Sequence, residues 1–126
     1  MRLMVVPDIF IGTDLEDISR IRSAIEKNGK RFLNRIYTRE EQTYCQSKAD
    51  PAMHFAGRFC AKEAMIKALK SSGVKDPISW TAIEIEAAAG GEPRVNLHGK
   101  IHGACRISIS HTRTQALAFA LYFPGR

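Results

Sequence analysis

Between Phe55 and Leu69 apolar, small and charged residues recur at a helical repeat. At about 100° per residue, Phe55, Phe59, Ile66 and Leu69 fall into one apolar stripe of a long helix, with Lys62 in its middle. Gly57, Ala61, Ala64 and Ala68 make a second stripe, of small side chains, which suits the close approach of another backbone or of a flat ligand. Asp50-Pro51 supplies an N-cap followed by proline at the first helical position, and Ser71-Ser72-Gly73 supplies the stop. Upstream, Ile9, Ile11 and Thr13 alternate with Phe10, Gly12 and Asp14 as a short strand. Thr13-x-x-Glu16 then resembles a capping box opening a helix that carries Leu15, Ile18, Ile21 and Ile25 inward. Asn28-Gly29 ends that helix, Phe32 to Ile36 reads as a helical turn, and Thr38-Arg39-Glu40-Glu41 opens a further helix through about Ser47.

Beyond the long helix the period changes to two. Trp80 to Glu86 alternates as a strand, Gly90-Gly91-Glu92-Pro93 turns the chain, and Arg94 to Leu97 returns as its hairpin partner. Cys105 to His111 and Gln115 to Phe123 read as two more strands, joined through Thr112-Arg113-Thr114. The prediction is an α+β fold, a small antiparallel sheet packed on a long helix. The 126 residues fit one domain, 1–126, able to bury about two-thirds of its unfolded surface. The Arg2-Leu3-Met4-Val5-Val6 run, stopped by Pro7-Asp8, is too short for a signal peptide, and no segment approaches the ~18 apolar residues of a membrane helix. A soluble protein without a membrane partner is expected. Three cysteines, none in a C-x-x-C spacing, predict reduced thiols and a cytoplasmic setting.

Charge adds a partner class. With 19 Lys+Arg against 13 Asp+Glu the chain carries +6, which suits a nucleic acid, a nucleotide or an acidic protein. A non-catalytic nucleic-acid-binding domain is one reading, but aromatic content is 8% and no basic-aromatic cluster of an RNA module is present. No G-x-G-x-x-G, P-loop or G-x-S-x-G motif occurs, so a Rossmann cofactor, a P-loop nucleotide site and a hydrolase elbow are unsupported. His98, His102 and Cys105 lack a second ligand pair at a zinc spacing.

The long helix breaks its own pattern where chemistry is expected. A lysine inside an apolar stripe either snorkels to water or meets an anion. Arg58 and Lys62, four apart, repel by roughly 0.2–0.5 kcal/mol unless an anion such as phosphate sits between them. Glu63 and Lys67 are spaced as a surface ion pair or as two charges of one site. Asp14 reads as a helix cap or, with Glu63, as the one or two carboxylates that Mg²⁺ takes while keeping waters and substrate phosphates. His111, at a strand end beside Thr112 and Arg113, suits a structural histidine and a phosphate donor equally.

Taken together, Ile11-Gly12-Thr13-Asp14, then Gly57-Arg58-Phe59-Cys60-Ala61-Lys62-Glu63-Ala64-x-x-Lys67-Ala68, then Ser108-Ile109-Ser110-His111-Thr112 resemble the three signature blocks of the holo-[acyl-carrier-protein] synthase family, the short 4′-phosphopantetheinyl transferases. Order, spacing and length fit across nearly the whole chain. The resemblance implies the 4′-phosphopantetheinyl transferase fold. The implied reaction moves the phosphopantetheine arm of coenzyme A to a serine of an apo acyl carrier protein, with Mg²⁺, releasing adenosine 3′,5′-bisphosphate. It implies Asp14 and Glu63 as metal ligands, and Asp14, Lys62 and Glu63 as the catalytic set. Arg58, Lys62, Lys67, His111 and Thr112 would contact the coenzyme. Candidates for accepting the serine proton are Glu63, a metal-bound water and Lys62, the water being preferred. Arg20, with Arg31 and Arg35, would meet an acidic helix of the carrier protein, and a homotrimer with sites between subunits is implied. Two departures stand out: Ser71-Ser72-Gly73-Val74-Lys75 replaces a Gly-Thr-Gly-type turn, and Met65 replaces an aromatic residue.

Overall fold

The structure, a computed structural model, describes residues 8–125; the Arg2 to Val6 run and Pro7 lie outside the described residues. Ten elements follow in order: β1 (Phe10–Asp17), α1 (Ile18–Asn28), α2 (Lys30–Ile36), α3 (Arg39–Gln46), α4 (Pro51–Ser71), a 3₁₀ turn (Trp80–Ala82), β2 (Ile83–Ala87), β3 (Pro93–Leu97), β4 (Ala104–His111) and β5 (Gln115–Phe123). The fold is α+β. An antiparallel sheet in the order β1-β5-β4 packs on α4, and a β2-β3 hairpin lies against the same helix.

Small residues determine how closely helix and sheet approach. Ala116, Ala118 and Ala120 on alternate positions of β5 have no exposure, and neither have Cys60, Ala61, Ala64 and Ala68 of α4. A Cβ added to Gly12 of β1 would lie 1.9 Å from the Ala64 carbonyl oxygen and 2.8 Å from the Ala68 nitrogen, so only glycine fits. The second stripe of α4 is therefore a packing face for the sheet. The Cys60 thiol adds a hydrogen bond to the Ala116 carbonyl at 3.4 Å.

Three expectations are corrected. Thr13 opens no helix: β1 continues to Asp17 because its backbone stays paired with β5, Glu16 facing Ala116 and Asp17 facing Gln115, before α1 begins at Ile18. Asp14 thus sits in mid-strand opposite Ala118, and Leu15, expected inward, is 58% exposed on the outer sheet face. Trp80 to Ala82 curl into the 3₁₀ turn instead of extending β2, and the Trp80 ring stacks on Phe59 of α4 at 5.2 Å. Asp50 precedes α4 as expected but makes no side-chain cap; its carboxylate takes the Arg22 guanidinium at 3.1 and 3.2 Å. At α3 the capping box forms fully between Thr38 and Glu41.

The outer face of the three-stranded sheet is apolar and open. Ile11, Leu15, Leu117 and Phe119 are 40–58% exposed, and Leu15 and Leu117 face each other across β1 and β5. No helix among the described residues is long and apolar enough to cross a membrane.

Candidate active site

The carboxylate cluster is built where β1 crosses α4. Strand alternation turns Asp14 and Glu16 toward the helix. Lys67, one turn beyond Glu63, reaches back to the strand, donating to the Thr13 carbonyl at 2.9 Å and lying 3.4 Å from Asp14 Oδ1. It does not pair with Glu63. Asp14 Oδ2 is buried with no hydrogen-bond partner, an arrangement that costs free energy unless something cationic meets it. Glu63 is half-buried, and its carboxyl is held above the usual range by desolvation first and by the Asp14 charge second. An orphaned oxygen beside an incompletely compensated carboxylate suits a hard divalent cation, which needs only one or two protein carboxylates and takes its remaining oxygens from water and phosphate. Asp14 and Glu63 are the residues that would hold it; among the described residues no cluster of three or more His, Cys, Asp or Glu forms a full cage.

Lys62 belongs to neither this cluster nor the surface. Its ammonium lies 2.7 Å from Glu41 Oε1, with both side chains at 0% exposure, and donates to the carbonyls of Ile83 at 2.7 Å and Trp80 at 3.0 Å. Glu41 also accepts from the backbone of Thr38 at 2.7 Å and of Ile85 at 2.8 Å. The anion expected for Lys62 is thus supplied within the chain, and it is not a phosphate. Burial lowers the Lys62 pKa, with the Glu41 charge opposing. Nothing in the sequence joins Glu41 to Lys62, although the Thr38-Arg39-Glu40-Glu41 helix start places Glu41 in the first turn of α3.

A second cluster lies on another face of α4. Arg58, five residues before Glu63, is turned about 140° from it around the helix. Its guanidinium is 6% exposed, lies 4.1 Å from the Tyr44 ring centroid, and leaves Nε buried without a partner. Lys48 approaches the same ring at 4.5 Å, and His54 meets it edge-on at 6.0 Å. Desolvation lowers the His54 pKa, followed by the charges of Arg58, Lys48 and His111. Tyr44, Lys48 and His54 do not stand out in the sequence; the four-residue spacing of His54 and Arg58 is the one signal that joins any of them to the site.

His111, paired with Ala116, keeps the face its register suggested but is exposed where β4 ends. The Thr112 hydroxyl accepts from the backbone of Thr114 at 3.2 Å and Gln115 at 3.0 Å, which explains a tight β4–β5 turn without glycine or proline. Arg20 is exposed and pairs with Glu16 at 3.2 Å, while Arg31 and Arg35 are exposed on α2. The structure therefore brings Asp14, Glu63 and Lys67 together, places Arg58 and His111 with a different set of cations, and removes Lys62 from both.

The chain is 44% identical over 117 residues to the holo-[acyl-carrier-protein] synthase of Protochlamydia amoebophila, covering 89% of this chain and 95% of that protein. It is 46% identical over 116 residues to that of Chlorobaculum parvum, covering 90% and 97%. An ACPS–CoA complex from Chronobacterium ammoniagenes superposes with a TM-score of 0.81 at 26% identity, over 94% of this chain and 98% of that one. The holo-[acyl-carrier-protein] synthase structure from Neisseria meningitidis gives 0.78 at 30% identity, over 90% and 96%. The sequence pattern of one family runs through residues 10–121, from the strand that carries Asp14 to the strand that follows His111, so the chain belongs to the 4′-phosphopantetheinyl transferase superfamily.

Proposed function

We propose that this protein is a holo-[acyl-carrier-protein] synthase, one domain over residues 1–126 that transfers 4′-phosphopantetheine from coenzyme A to a serine of an apo acyl carrier protein. One observation carries the reading beyond the names of relatives: two unpartnered buried polar atoms of opposite charge type border one helix, Asp14 Oδ2 of β1 against one face of α4 and Arg58 Nε on another. Coenzyme A is an elongated polyphosphate with a diphosphate and a separate phosphomonoester, and two such clusters divide it between them.

In the reaction the serine oxygen forms a bond to the phosphorus bearing the pantetheine arm, the bond to adenosine 3′,5′-bisphosphate breaks, and the hydroxyl proton is released. Mg²⁺ held by Asp14 and Glu63 would supply charge neutralisation at the diphosphate. Lys67, already hydrogen-bonded at the strand, has its ammonium positioned to offset charge that develops on phosphate oxygens. Arg58, His111 and Thr112 would hold the coenzyme's other anionic end. Lys62, enclosed with Glu41, acts on the site by fixing α4 against α3 and β2 and not by contact.

Arg20, Arg31 and Arg35 offer an exposed basic surface to an acidic carrier protein, and the +6 net charge would speed encounter. The open apolar face of Ile11, Leu15, Leu117 and Phe119 supports a homotrimer, because a patch of this kind is ordinarily covered in a stable protein. The free cysteines, two of them buried, accord with a cytoplasmic setting, and fatty-acid synthesis is the pathway proposed.

The test is intact-mass spectrometry of an apo acyl carrier protein incubated with this protein, coenzyme A and Mg²⁺, alongside a chelator control. A gain of one phosphopantetheine arm that the chelator abolishes is expected. Absence of any gain, with carrier proteins of several pathways, would overturn the assignment.

A further inference from the structure

Three side chains share the Tyr44 ring, and among the described residues none of them makes an ion pair with an acid. Arg58 and Lys48 approach its centroid at 4.1 and 4.5 Å, and His54 lies edge-on. His54 and Arg58 are one turn apart on α4, so the imidazole and the buried guanidinium with its unpartnered Nε border the same space. The charged groups that bear most on His54 are Arg58 on its own helix, Lys48 after α3, His111 at the end of β4 and Asp50 at the start of α4; of these Asp50 alone is acidic, and its oxygens are taken by Arg22. Burial first and these cations second disfavour its charged form, and a bound anion would oppose the second effect.

We infer that His54 is a further coenzyme-contacting residue, joining Arg58 on a phosphate group and taking up a proton when that phosphate binds. This rests on coenzyme A being the substrate. The sign follows from linkage. In the free protein burial, and then the surrounding cations, disfavour a charged His54; a bound phosphate dianion favours it, so a proton enters with the ligand and affinity falls as pH rises through the His54 pKa of the complex. The resulting dependence is separate from the ligand's own titration near pH about 6, which weakens binding in the opposite direction on acidification.

Isothermal titration calorimetry of coenzyme A binding, run between about pH 5 and 8 in two buffers of different ionisation enthalpy, counts the protons taken up. His54→Phe keeps an aromatic edge against Tyr44 and His54→Gln keeps a donor, and a thermal melt verifies that each folds. The wild type is expected to take up a fraction of a proton near neutrality. Both variants should lose that uptake, binding roughly tenfold more weakly at the acid end and converging on the wild type at the alkaline end. Proton uptake and pH dependence identical to wild type in both variants would overturn the inference while leaving coenzyme A as substrate. A wild-type protein that binds no coenzyme A would overturn the substrate reading and this inference with it.

Discussion

Lys62 and Glu41 form an ion pair at 2.7 Å with neither side chain reaching solvent. Each keeps further partners: two carbonyls for the ammonium, two backbone N–H groups for the carboxylate. Such a pair contributes little net stability but is costly to break from one side, by about 3–5 kcal/mol. Glu41→Gln and Lys62→Met should each lower the unfolding free energy by that order, read from the shift in denaturation midpoint. The double variant should lose less than the sum, and additive losses in the double-mutant cycle would show that the charges are uncoupled.

Desolvation first and the Asp14 charge second hold the Glu63 carboxyl above its usual range, so a charged Glu63 is costly without a cation beside it. Glu63→Gln should therefore leave the melting temperature unchanged or higher, while transfer to the carrier protein falls by roughly a hundredfold or more. Full activity in this variant would remove Glu63 from the metal site. Asp14→Asn should behave alike, measured in the same two assays.

The Gly12 contact tests the link between packing and site. A methyl group there meets backbone atoms of Ala64, which have no rotamer to yield. Gly12→Ala should cost stability at the upper end of about 1–3 kcal/mol and should depress activity, because Asp14 lies two residues along the displaced strand. Urea denaturation with a parallel transfer assay would measure both.

Alkaline stability follows from the buried thiols. Burial pushes Cys45 and Cys60 from 9.0 up to about 12, and it raises Tyr37 well above its ordinary 10.0. Between those limits the unfolded chain has lost protons that the native state retains, so stability declines as pH rises above about 9. Lys62, shifted downward, works in the other direction but is a single group. The melting temperature should fall steadily from pH 9 to 12, and Cys45→Ala with Cys60→Ala should flatten that fall despite costing about 1 kcal/mol each through the void left behind.

The open sheet face makes assembly testable. Phe119→Asp and Leu15→Lys place charges on a surface that the proposed trimer would bury. Sedimentation equilibrium should show a trimer for the wild type and smaller species for both variants. A wild-type monomer at micromolar concentration would sink the assembly.

By itself the sequence determined the elements whose signals are local. The Thr38-Arg39-Glu40-Glu41 start of α3, the Asp50-Pro51 start of α4, the glycine-rich hairpin turn and the period-two strands from Ile83 onward formed, since each depends on neighbours within a few residues. It also marked Asp14, Arg58, Glu63 and His111, because charged residues that interrupt an apolar pattern stand out in one dimension. Tertiary structure decided who meets whom. Pairing with β5 drew Glu16 and Asp17 into a strand that local capping signals had assigned to a helix. Lys67 went to Asp14 and not to Glu63, and Lys62 found Glu41 across 21 positions of chain. Charge partners are chosen by distance in the folded state, where desolvation makes one short contact outweigh every favourable spacing along the helix, and such distances are written only when α3, α4 and the sheet have packed.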